Sequence, residues 1–126
     1  MWPDPETAVI GLLQGRIAGV HVADTVPGEV ESEYPEGFIR VTRGAGSDDG
    51  ITDSPLMDLE AFHPDRIEAA RIADEARQVM LGAVNQTGVL FDRIQTISSP
   101  AYVFYGPNVE RYVATYQVDM RRPYSS

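Results

Sequence analysis

The sequence predicts an α+β fold: a single antiparallel or mixed five-stranded sheet with two helices packed on one face, in the chain order α-β-β-β-α-β-β. Three stretches carry that reading. Phe38-Ile39-Arg40-Val41-Thr42-Arg43 is short, rich in β-branched residues and bounded by Gly37 and Gly44, the marks of a strand. Ala69, Ile72, Ala73, Ala76, Val79, Met80 and Ala83 recur at the spacing of one continuous helical face. Tyr112, Ala114, Tyr116, Val118 and Met120 alternate with Val113, Thr115, Gln117, Asp119 and Arg121, the period of a half-buried strand.

The 126 residues suit one domain, expected to span residues 1–126. Hydrophobic residues make up 43 % of the chain, ordinary for a folded globule, and no apolar run is long enough to span a bilayer. The opening MWPDPE has no basic region before an apolar one, so no secretory signal is expected. With no cysteine, disulfides and thiolate metal sites are excluded. All ten bases are Arg, which GC-rich coding bias explains, and net charge is −9. Residues 1–36 hold seven acids and one Arg, so most of the excess sits in the first third. An acidic chain repels phosphate backbones, which argues against sequence-independent nucleic-acid binding.

In chain order, Asp4-Pro5-Glu6 is a helix start, and Val9, Leu12, Leu13 and Ile17 follow at helical spacing, predicting a helix over 5–17. Gly11 and Gly15 weaken it by about 1 kcal/mol each relative to Ala. Gly19 to Ala23 reads as a short strand, with His21 facing opposite to Val20 and Val22. Asp24 to Glu36 reads as a solvated loop, and alternation of its glutamates with Val30, Ser32 and Tyr34 allows a short exposed strand. Strands at 38–43 and 56–62 are expected to pair antiparallel around a ten-residue tip, Gly44 to Asp53, with three glycines and three aspartates. The second helix is expected within 63–85, with Pro64 at its first position. Residues 89–98 form the next strand; neither of its faces is cleanly polar, which points to a central position. Ser99 to Asn108 reads as a loop carrying Tyr102, Phe104 and Tyr105, aromatics that either tuck into the core or mark an interface. The strand over 109–121 is expected to pair antiparallel with 89–98. The core is expected to hold Leu13, Val22, Ile39, Val41, Ile72, Ala76, Val79, Leu90, Tyr116 and Val118.

Catalytic motifs are absent. There is no G-x-S-x-G, H-E-x-x-H or P-loop, and the two His lie in separate elements. The acidic turn 24–36 lacks the D-x-D-x-D-G order of a calcium loop. Gly44-Ala45-Gly46 lacks the third Gly and the following helix of a dinucleotide fingerprint. Asp48, Asp49 and Asp53 could hold Mg²⁺, but three aspartates in a Gly-rich tip are commoner as turn formers. The residues therefore point to no catalytic, cofactor-binding or metal site, and no enzyme is expected.

FIRVTRGAGSDDGITDSPLMDLEAF, the Ala-faced helix, and FDRIQTISSPAYVFYGPNVERYVATYQVDMRRP together resemble the tail terminator proteins of long-tailed (siphovirus-type) bacteriophages, over residues 36–123. GSDDGITDSP after an IRV strand and NVERYVATYQVDMRR are the most telling pieces. The resemblance implies a virion structural protein without chemistry or cofactor. It implies a homo-hexameric ring on the head-proximal end of the tail tube, assembled in the host cytoplasm, that stops tube growth and offers a head–tail joining surface. Its implied partners are further copies of itself, the major tail tube protein and the head–tail connector protein; DNA would only pass through the lumen, and no membrane is involved. Arg40, Arg43, Asp48, Asp49, Asp53, Tyr102, Phe104 and Arg111 are the expected contact residues toward a neighbouring subunit or the tube. Two other readings stay open at this point: another neck or tail-completion ring protein of the same particle, and a small cytoplasmic ligand-binding or enzymatic α+β domain.

Overall fold

The computed structural model describes residues 5–43, 55–83 and 91–120. The chain runs α1 (Pro5–Leu13), β1 (His21–Ala23), α2 (Val30–Glu33), β2 (Phe38–Arg43), β3 (Leu56–His63), α3 (Arg66–Gly82), β4 (Phe91–Tyr102) and β5 (Glu110–Met120). The five strands form one sheet in the order β1-β2-β3-β5-β4. β1 runs parallel to β2 and every other pair is antiparallel, so the sheet is mixed. Apart from the single turn α2, the order is the expected one. The predicted hairpin pairs Phe38 with Phe62 through to Arg43 with Met57. Its tip, Gly44 to Asp53, lies outside the described residues.

Both long helices pack on one face. Val9, Leu12 and Leu13 of α1 and Ile72, Ala73, Ala76 and Met80 of α3 share a core with Ile39, Val41, Met57, Leu59, Ala114, Tyr116 and Val118 of the sheet. Each large aliphatic side chain so buried contributes roughly 1.5–3 kcal/mol. Alanines at 69, 73 and 76 are buried, which lets α3 lie close over β3 and β5. Of the expected core, Val79 is only partly buried and Leu90 lies outside the described residues; the other eight are buried.

Several boundaries differ from expectation for definable reasons. The first helix stops at Leu13, not at residue 17: Gly15 adopts φ +85°, a conformation that ends the helix rather than merely weakening it. The strand after it is only His21–Ala23, because Gly19 sits at φ +77°. The acidic stretch holds one helical turn instead of an exposed strand; Val30 is buried there against Phe38, Phe62 and Val109 on the face opposite the helices. α3 starts at Arg66, because Asp65 is the cap and its side chain accepts from the Ile67 N–H at 3.1 Å. Pro64 therefore precedes the cap.

The largest correction concerns β4. It lies at the sheet edge, not in the centre, and extends to Tyr102, taking in Ser99 to Tyr102 that read as loop. Register shifts fall between Phe91 and Arg93, Thr96 and Ser98, and Ser98 and Ala101. Those bulges explain the mixed pattern: the first places both Phe91 and Ile94 against the core despite opposite parity. Pro100 stands in this outer strand, where a missing N–H is tolerated.

A candidate assembly surface

The sheet face away from the helices is organised around one acid. Glu60 of β3 has the parity of Asp58 and Phe62 and points away from the helical core, yet it is only 5 % exposed. Arg40 of β2 is its cross-strand partner, and the Arg40 Nε donates to Oε1 of Glu60 at 2.5 Å. Arg111 of β5 donates from Nη1 to Oε2 at 2.8 Å. A carboxylate taking two guanidinium partners is a strong, directional arrangement. Beside it, the Thr115 hydroxyl donates to Asp58 Oδ1 at 2.7 Å.

Arg111 also reaches outward. Its Nε donates to the Val103 carbonyl at 3.3 Å and its Nη2 to the Phe104 carbonyl at 3.2 Å, while the Val103 N–H donates to the Arg111 carbonyl at 3.0 Å. The guanidinium lies 5.1 Å from the Tyr105 ring centroid. That ring meets Phe62 edge-on at 4.9 Å. One turn earlier, Tyr102 stands on the helical side of the sheet, edge-on to Tyr112 at 5.7 Å, with Arg66 stacked 3.9 Å over it. Hydrogen bonding toward the Glu110 carboxylate, with desolvation, raises the Tyr102 pKa. The segment 103–105 thus crosses the end of the sheet from one face to the other, fastened on both sides. It nevertheless offers apolar surface: Phe104 is 67 % and Tyr105 44 % exposed, with Val103 beside them. Ile67, 77 % exposed, stands at the same end of the sheet at the start of α3. A fastened loop that holds large apolar side chains in water is a surface made to be covered.

The expected contact residues divide as follows. Phe104 and Tyr102 belong to the crossing segment, and Arg111 is its anchor. Arg40 joins through Glu60. Arg43 lies at the end of β2, where its backbone N–H donates to Glu6 Oε2 at 2.8 Å. Asp48, Asp49 and Asp53 lie outside the described residues. Arg40 and Arg111, expected to face a neighbouring subunit or the tube, already hold a carboxylate of their own subunit. Sequence reasoning missed Glu60, because its two partners are 20 and 51 residues away. The parity of Asp58, Glu60 and Phe62 was the available sign. No group of His, Asp and Glu among the described residues is arranged to hold a metal ion, and no described helix is long and apolar enough to cross a membrane.

Fold and surface together define a small α+β domain with a rigidly presented apolar edge. The family model described as "Phage tail termination protein" matches residues 1–107. The chain belongs to that family and is a phage tail structural protein. Among solved structures, a chain from the "Virion of native gene transfer agent (GTA) particle" is similar at 13 % identity with a TM-score of 0.63, covering 92 % of this chain and 93 % of that one. At that identity the likeness is one of fold. No curated protein matches the chain.

Proposed function

We propose that this protein is the tail terminator subunit of its particle. Six copies, each acting as one domain over residues 1–126, form a ring at the head-proximal end of the tail tube. The ring stops addition of tube subunits and presents the surface that meets the head–tail connector. Its partners are its own copies, the major tail tube protein and the connector; DNA passes through without specific contact. Membership of the phage tail termination family supports the reading.

The observation that carries it at the level of residues is the fastened, exposed segment Val103-Phe104-Tyr105. Tyr102, Phe104 and Arg111 form its contact edge, with Arg40 on the adjoining open sheet face; Arg43, which shares the parity of Ile39 and Val41, stands at the end of β2 on the helix-covered side. Phe104→Asp tests this directly. With its ring mostly in water, the subunit should melt within about 1 kcal/mol of wild type. Ring formation or tube capping, counted by negative-stain microscopy with solution mass, should be lost. A variant that still assembles rings and caps tubes with normal tail length would refute the assignment of this edge.

A further inference from the structure

A second feature lies on the opposite face. Between α3 and the edge strand β4 runs a groove of about 440 Å³ lined by Ala70, Asp74, Arg77, Ser99, Pro100 and Tyr112. Polar atoms in and beneath it lack partners. The Arg77 Nε is buried without a hydrogen-bond partner, and so are the Thr96 hydroxyl and the hydroxyl of fully buried Tyr116 beneath. The groove's one acid, Asp74, accepts from Gln78 Nε2 at 2.8 Å. Unpaired buried polar groups are costly and in native proteins usually mark a missing partner. A guanidinium among them specifies the partner's chemistry as a carboxylate.

The chain carries such carboxylates on its other face. The stretch after β1, residues 24–36, contains Asp24, Glu29, Glu31, Glu33 and Glu36 and no base. Glu33 and Glu36 are exposed. Thr25 donates to Asp24 and Ser32 to Glu29, whereas no described side chain engages Glu33. The groove lies at the β4 edge on the helix-covered face, and the acid-rich turn lies on the other face over β1 to β3. A contact between them joins copies head to tail, the heterologous relation from which closed rings are built.

We propose that the α3–β4 groove is the receiving half of the contact between successive copies, and that the acidic α2 turn of a second copy docks in it, with Glu33 pairing Arg77. This rests on the ring reading above and names the surfaces that close it. Side-chain rotation of Arg77 on docking is the ordinary adjustment at such interfaces.

The test uses the full chain. Arg77→Glu and the double variant Glu33→Arg/Glu36→Arg are compared with wild type by light scattering over a range of concentrations. Each variant alone should need ~30-fold or more higher concentration to reach half assembly, the scale expected when one partner of a buried charge pair is lost. Mixed in equal amounts, they should regain assembly, because every groove then meets a turn of opposite charge; a mixture that assembles no better than either variant alone overturns the pairing. Wild type that stays monomeric at every concentration refutes the ring reading and the docking with it. Wild type that assembles while Arg77→Glu assembles equally well overturns the docking alone. If Arg77→Glu fails to fold, Arg77→Gln decides by the same measure, unchanged assembly again overturning the proposal. Normal self-association with lost binding to tail tubes would also overturn it, since the groove would then face a different protein.

Discussion

Replacing Glu60 by Ala should be among the most damaging single changes to the open sheet face. The substitution removes a buried carboxylate that accepts from Arg40 and from Arg111 and leaves two guanidinium groups facing each other. Breaking a buried ion pair by deleting one partner typically costs about 3–5 kcal/mol. Here the Arg40 side chain is 33 % exposed, so water can replace part of its loss. Arg111 is less exposed, at 17 %, and keeps two backbone carbonyls. These considerations place the cost near the lower end, about 3 kcal/mol, or a fall in Tm of roughly 10 °C for a chain of this size. Glu60→Gln, which keeps an acceptor without the charge, should cost about half as much. Urea denaturation of dilute subunits measures both. A triple replacement of Arg40, Glu60 and Arg111 by Met, Leu and Met should recover most of the stability, because no charge is left unpaired. It should still fail to assemble, because the Val103 and Phe104 carbonyls lose their anchor. A loss under about 1 kcal/mol for Glu60→Ala would show the cluster to be an ordinary surface network and sink the reasoning.

Two further predictions rest on the helix-covered face. Gly37 has φ +124°, and a Cβ there would fall 2.5 Å from Ile72 Cδ1 and 3.2 Å from Val20 Cγ2. Gly37→Ala should therefore lower stability by about 2–4 kcal/mol, strain and overpacking combined; calorimetry showing an unchanged Tm would contradict the close approach of α3 to β2. Burial pushes the Tyr116 pKa up to about 12 from its ordinary value of 10.0. The phenol's folded pKa thus lies above its unfolded one, so its contribution is complete below pH 10 and is lost as pH rises from about 10 through 12, on the order of 2 kcal/mol in all. Denaturation followed across that range should show the fall in wild type and not in Tyr116→Phe.

Much of the fold was legible because its signals are local. The alternation of 110–120 and the alanine face of 69–83 each report on a single element, and burial follows directly from their periods. Glycine was harder. Gly15 was legible as a weak helix residue but not as a stop, since φ > 0 at a glycine depends on where the chain must go next. The β4 strand was misplaced for a related reason. Bulges shift parity without any mark in composition, so a bulged edge strand imitates a central one.

The sequence by itself determined the class, the pairing of both hairpins, the helical face of the core and the family. These rest on short-range periodicity and on strings of residues that can be read in order. Tertiary structure alone decided that Arg40, Glu60 and Arg111 form one cluster across three strands, and that this cluster fastens Phe104 in solvent. It alone left Arg77 Nε and the Thr96 and Tyr116 hydroxyls without hydrogen-bond partners near the far edge. Hydrogen bonds and ion pairs act over about 3 Å and are indifferent to separation along the chain. Their partners exist only once the sheet order β1-β2-β3-β5-β4 has brought distant segments together.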